Sequence, residues 1–328
     1  MAPNSILVTA LSGLVAIAAT CCAAGAEPAL FESRQLTPSG EYTSGIEGPA
    51  VDLAGNLYVV NFREPGTIGK VDTGGTRSHF FAMLPTGSIG NGIRFDDEGR
   101  MYVADFKKHN IFVFEPNETT PKVYFNSERF NQPNDLAIAE DGTLYASDPR
   151  FPNTGQIWRI VRGADGNGIG EVMAMPPERP HAGVINGIDL SPDGTTLYVS
   201  ESNTREVWAY RLDGTNLSAP RRLKRFSGFE LDGLRTDVAG RIFVTRPSHG
   251  TVAILVPPAD GASEAMLLQE VALRGKEPTN LTFGGPDGRS VFVTQKQGRF
   301  IETFRTDKPG REPCLHVRSA ERAASGKC

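Results

Sequence analysis

Cysteine is nearly absent from this 328-residue chain, and none of the four is placed to build a framework. Cys21 and Cys22 fall in an apolar N-terminal stretch, Cys314 and Cys328 in the last fifteen residues. There is no Cys-x-x-Cys pair and no Cys/His set with zinc spacing, so a thiolate metal site and a catalytic thiol are not indicated. A Cys314–Cys328 bridge, formed in an oxidising compartment, would tie the tail to itself and staple little of the core. Positive charge is not in excess either: 34 Lys and Arg face 38 Asp and Glu, a net charge of −4. That leaves no bulk basic surface for nucleic acid or an anionic membrane. What is abundant is turn chemistry, with 36 glycines and 23 prolines. So many chain reversals argue for many short strands and against a helix bundle.

The first 26 residues stand apart. Ile6 to Ala24 is a run of apolar and small residues with no charged side chain, closing on Ala24-Gly25-Ala26, an A-x-A cleavage pattern. We read a secretory signal cut after Ala26, although Met1 to Ser5 carries no Lys or Arg; an uncleaved anchor is the alternative. The expected organisation is a signal peptide at 1–26, one domain over 27–306 and a tail over 307–328, in a secreted or periplasmic protein with no stable membrane insertion after cleavage.

Within the mature chain a turn-and-strand phrase returns six times, as in Asp52-Leu-Ala-Gly-Asn-Leu-Tyr58, Asp97-Glu-Gly-Arg-Met-Tyr102 and Asp193-Gly-Thr-Thr-Leu-Tyr198. The aromatic positions are Tyr58, Tyr102, Tyr145, Tyr198, Phe243 and Phe292, separated by 44, 43, 53, 45 and 49 residues. Asp and Gly build a tight hairpin turn, and the apolar run after it has the composition of a buried strand. A second strand-like run follows in most repeats, for example Ile157-Trp-Arg-Ile160. All-strand repeats of this length close radially, which predicts an all-β, six-bladed β-propeller with four-stranded blades. The sixth repeat ends near Thr306, so the segment before the first repeat is expected to supply the outer strand of the last blade. Trp158 and Trp208 are followed by Arg and Ala, which excludes a WD40 ring, and Gly-Gly pairs occur only at 74–75 and 284–285, which excludes kelch blades.

Counting back 11 or 12 residues from each aromatic reaches Glu47, Asn91, Asn134, Asn186, Asp232 and Asn280. Each carries a side-chain oxygen and opens the strand that would be innermost, which puts six polar side chains at one end of the central channel. Asn or Asp before Gly commonly only caps a turn. Six at one phase on a narrow axis would be costly to bury unless a cation satisfied them. Donors that are all oxygen select a hard ion, Ca²⁺ first, then Mg²⁺ or Mn²⁺. Positions three after each aromatic (Asn61, Asp105, Asp148, Glu201, Arg246, Gln295) form another polar set, expected at strand-end surface or in support of the site. His181 and His249 are read as solvated loop residues, with a loop overhanging the channel mouth as the alternative; His79, His109 and His316 carry no assignment.

These phrases resemble the gluconolactonase, regucalcin (senescence marker protein) and diisopropylfluorophosphatase family of six-bladed propellers. The resemblance covers essentially the mature chain, through Ile46-Glu-Gly-Pro49, Gln132-Pro-Asn-Asp135, Asn186-Gly-Ile-Asp-Leu-Ser-Pro-Asp-Gly194, Leu231-Asp-Gly-Leu-Arg-Thr-Asp237 and the run from Pro278 to Gly288. It implies a catalytic divalent ion, usually calcium with Mg²⁺, Mn²⁺ or Zn²⁺ as alternatives, held by Glu47, Asn134, Asn186 and Asp232. Asp232 would be the base, and Asn91, Gln132 and Asn134 would contact substrate. Gln132 is a departure: animal members have Arg there, and a neutral amide lacks the charge-assisted bond to sugar oxygens. The implied function is metal-dependent opening of a lactone by a monomer acting on a small lactone or ester. A phosphotriester hydrolase with the same site and a non-catalytic calcium-binding or interaction propeller are the alternatives.

Overall fold

Six four-stranded antiparallel sheets follow one another along the chain in the computed structural model, which describes residues 29–259 and 264–315. The expected signal segment, Cys328 and the side chain of Cys314 lie outside the described residues, so neither signal cleavage nor a Cys314–Cys328 bridge is addressed. Blade one runs from inner strand Tyr42–Val51 to outer strand His79–Met83, and blades two to five begin with inner strands Gly90–Phe95, Leu136–Ile138, Ile185–Leu190 and Leu234–Thr236. Blade six takes three strands from the C-terminal end, starting at Pro278–Gly284, and its outer strand, Arg34–Gln35, from the N-terminus. Arg34 pairs with Thr303 and Gln35 with Glu302, so the ring closes as a clasp between the two chain ends. The fold is the six-bladed β-propeller.

The repeat is what each blade needs to bury both faces. Six apolar clusters divide the core, each built by two neighbouring blades: Tyr58, Tyr102, Tyr145, Tyr198 and Phe243 each sit in the cluster shared with the next blade, and Phe292 packs against the one joining blades six and one. A lone blade would leave that surface wet, which is why the sheets stack. The turn aspartates cap their hairpins: Asp52 accepts the Ala54 and Asn56 amides at 2.9 and 2.8 Å and the Tyr58 hydroxyl at 3.1 Å. In blade two this acceptor is Asp96, not the Asp97 with which the sequence phrase begins, because Asp96 takes the Arg100 amide and the Tyr102 hydroxyl.

Residues 307–313 do not trail away from the last blade. Gly310 bridges to Asp237, and the helix Arg311–Leu315 brings Arg311 and Glu312 into the turn end of the channel. The Arg311 guanidinium donates to Asp189 Oδ1 at 2.6 Å and to the Ile138 carbonyl, while Glu312 pairs with Arg94 at 2.7 Å. The far end of the channel is stoppered.

Candidate metal and substrate site

The six residues found at fixed phase stand at the same level of successive inner strands, and contacts between neighbouring blades join most of them. The Gly92 amide donates to the Asn134 carbonyl at 2.7 Å, Gly187 to the Asp232 carbonyl at 3.2 Å, and Gly233 to the Thr279 carbonyl at 2.8 Å. The Thr279 hydroxyl reaches the Ile46 carbonyl at 2.8 Å, joining blade six to blade one. A methyl built on Gly48 would stand 1.8 Å from the Asn91 carbonyl oxygen, and one on Gly233 would stand 2.1 Å from Asn280 Oδ1. The glycines after the ring residues are therefore demanded by close approach between blades, beyond any turn they make. The inner strands are irregular at this level: register shifts occur between Glu47 and Ala50, Gly90 and Ile93, Ile185 and Ile188, and Pro278 and Leu281. Bulges of this kind re-aim side chains, here toward the axis.

Five of the six ring side chains are half-buried, open on one side, and Asn280 is fully buried. Asn280 Oδ1 accepts the Leu281 amide at 2.8 Å, and its side chain also hydrogen-bonds Glu47. Asn280 thus positions Glu47 and is not a free donor. By contrast, the Oδ1 atoms of Asn91 and Asn186 are buried and have no hydrogen-bond partner. The Asn186 amide donates to Ser202 Oγ at 3.1 Å and hydrogen-bonds the Asp232 carboxylate, which fixes its oxygen toward the ring. Burial pushes the Glu47 carboxyl up to about 7 against the Gly48 N–H, which donates to Oε2 at 2.9 Å. Burial and the nearby Glu47 and Asp135 carboxylates hold Asp232 well above the ordinary carboxylate range. Two unpaired amide oxygens and two strained carboxylates at one opening fit a hard divalent cation. Among the described residues no group of three or more His, Cys, Asp or Glu could hold a metal, so any ion here depends on the asparagines.

Beneath the ring lies a layer the sequence reading missed. Asp135 is buried between two guanidiniums, Arg94 Nη2 at 3.0 Å and Arg235 at 2.8 and 2.9 Å. Burial raises its carboxyl to about 7, with the Arg94 charge opposing. Arg94 and Arg235 stand three residues after Asn91 and Asp232, inside inner strands, and that shared placement is the signal available in the sequence.

The second polar set is buried, which excludes the surface alternative. Each member anchors the loop entering its own blade's ring position. Asn61 donates to the Gly45 carbonyl at 2.6 Å, Asp105 accepts the Ile89 amide at 3.0 Å, and Asp148 accepts the Asn131 and Gln132 amides at 2.9 and 2.6 Å. Glu201, Arg246 and Gln295 hold Gly183, Gly228 and Gly275 in the same way. Gln132 is half-buried on this anchored loop, two residues before Asn134. His249 is drawn off the axis, with Nε2 3.1 Å from Glu270 on the outer strand and its ring stacked on Phe229; His181 is exposed. A cavity of about 430 Å³ opens beside Asn186 and Asp232, so the half of the ring in blades four and five faces a pocket of small-molecule size.

Residues 41–297, most of the chain, match the family described as the SMP-30/Gluconolactonase/LRE-like region. This protein belongs to that family. A gluconolactonase of Zymomonas mobilis is 29% identical over 224 residues, covering 62% of this chain and 60% of the relative. A 6-deoxy-6-sulfogluconolactonase of Pseudomonas putida is 31% identical over 160 residues, covering 48% and 49%. The chain thus spans about half to three-fifths of the length of these curated relatives. Among solved structures, a gluconolactonase from Xanthomonas campestris superposes with a TM-score of 0.65 at 20% identity over 85% of this chain and 89% of that one. The calcium-binding protein regucalcin from Agrobacterium tumefaciens gives 0.65 at 18% over 85% and 98%. At these identities the two structures speak to the fold.

Proposed function

We propose that this family member is a lactone hydrolase that depends on a divalent ion, calcium first, bound at the ring by Glu47, Asn134, Asn186 and Asp232. The observation that carries the reading is the unpartnered Asn186 oxygen beside the Asp232 carboxylate in a cavity, with a second unpartnered amide oxygen, that of Asn91, elsewhere in the ring. The lactonases among its relatives favour ring opening over phosphotriester cleavage. When bound, such an ion supplies Lewis acidity toward a carbonyl oxygen. The chain supplies the rest. Asp232, oriented by its hydrogen bond with Asn186, takes the proton from a water as its oxygen attacks the acyl carbon. The ring C–O bond then breaks, and the proton passes to the departing alkoxide, giving a hydroxy acid. Asn91, Asn134 and Gln132 line the approach and orient the ester. Asn280 and Gly48 hold Glu47 in place.

The test is hydrolysis of a panel of aldono- and aliphatic lactones, with EDTA and then with single ions restored, alongside Asp232→Ala. Turnover should disappear with EDTA, return with one hard ion, and fall by at least about a hundredfold in Asp232→Ala with melting behaviour preserved. Turnover indifferent to EDTA, or near-normal rates in the variant, would remove the metal and the base from the mechanism.

A further inference from the structure

The cavity beside the ring is built from two kinds of wall. The polar part of its lining is Asn186, Asp232, Ser202 and Asn203, and the apolar part is Phe151, Pro152, Val184, Leu231 and Pro247. The Phe151 ring is 65% exposed, on a loop that carries it over the opening with little of the molecule packed against it. What sets Phe151 apart from the other exposed apolar side chains is its place in the lining of the cavity that holds Asn186 and Asp232. The other feature is charge: Glu230 lines the rim, Asp232 belongs to the lining, and no Lys, Arg or His lines the cavity. The buried guanidiniums of Arg94 and Arg235 are committed to Asp135 and lie under the ring.

We infer that this cavity selects neutral lactones bearing an apolar or aromatic substituent, with Phe151 as the specificity-determining side chain and Glu230 excluding anionic substrates. The inference rests on the lactone reading of the ring, and it commits the site to a narrower class. A polyhydroxylated sugar lactone would place hydroxyls against Pro152, Leu231 and Pro247, which return no hydrogen bonds, while Ser202 Oγ is held by Asn186 and the Leu231 carbonyl and Asn203 Oδ1 by the Val184 amide. A phosphorylated or sulfonated lactone would have to pass the Glu230 carboxylate at the rim, where no Lys, Arg or His of the lining offsets it. An alkyl or aryl group instead removes its own surface and that of Phe151 from water at once.

Binding is measured apart from turnover by calorimetry with lactams, which keep the ring shape and resist hydrolysis. The probes are a phenyl-substituted lactam, a polyhydroxylated lactam and a carboxylate-bearing lactam, each titrated into the full chain with Ca²⁺ present. The phenyl lactam should bind at least about tenfold tighter than the polyhydroxylated one. Phe151→Ala should erase most of that margin; because this side chain is mostly in water, the variant should fold. Glu230→Gln should tighten the carboxylate-bearing lactam severalfold. Equal or tighter binding of the polyhydroxylated lactam, or a margin that survives Phe151→Ala, would overturn the inference. Failure of every lactone to turn over, with the phenyl preference intact, would count against the hydrolase reading while supporting this one.

Discussion

Glycine 48 shows how much of the site is set by single atoms. Its φ of +55° is in the left-handed region, and the Asn91 carbonyl occupies the place where a side chain would go. Gly48→Ala should cost about 2–5 kcal/mol, the sum of a disfavoured φ and an overpacked contact that backbone cannot relieve. Denaturant unfolding checks this, and a loss within 0.5 kcal/mol, roughly the scatter of ordinary surface changes, would mean that the blades can separate at the ring. At this scale the sequence was readable where position alone decides. Glu47, Asn91, Asn134, Asn186, Asp232 and Asn280 were found by phase, and phase is what a radial repeat preserves. Their different duties were not readable. Asn280 spends its oxygen on the amide of the next residue, Leu281, while Asn91 and Asn186 keep theirs unspent, a difference of side-chain rotation that phase does not encode.

Loops and strands supply the next level. The inner strands carry the ring, but the loops that feed them are held from behind by the second strand of the same blade. Asp148 is the clearest case: its carboxylate takes the Asn131, Gln132 and Gln156 donors and stands near the Trp158 indole. Removing it leaves buried donors unpaired and loosens the approach to Asn134. Asp148→Ala should therefore weaken Ca²⁺ binding about 10- to 100-fold by calorimetry, with Asp148→Asn recovering part of it through the one oxygen it keeps. Unchanged affinity in the alanine variant would make the anchor purely structural. The set was visible as a period, three residues after each aromatic. Whether it faced water or the loop behind it depends on strand pairing, and that is long-range information a local pattern lacks. Arg94, Asp135 and Arg235 escaped for a related reason, since an arginine within a strand is read as an exposed edge until a carboxylate from another blade is seen to meet it.

For the whole molecule, the blade count, the closure through Arg34–Gln35 and the shared cores all follow from the repeat, so they were legible. The stopper was not, because residues after the last repeat have no phase to read. Arg311 ties blade three to blade four through Ile138 and Asp189, and Glu312 reaches blade two through Arg94. Arg311→Ala should lower stability by about 3–5 kcal/mol, because it strands a buried carboxylate and a carbonyl. Adding Asp189→Asn should return part of that loss in thermal unfolding. A single variant as stable as the parent would show that the ring of blades needs no help from its C-terminal segment. The same stopper governs traffic. With Arg311 and Glu312 bound across the inner strands of blades two, three and four, the axis is closed at that end, so a ligand reaching Asp232 from the Phe151 side would leave the way it came. On the proposed hydrolase reading, a product would then occupy the doorway that the next molecule needs, and departure and arrival would compete for a single opening.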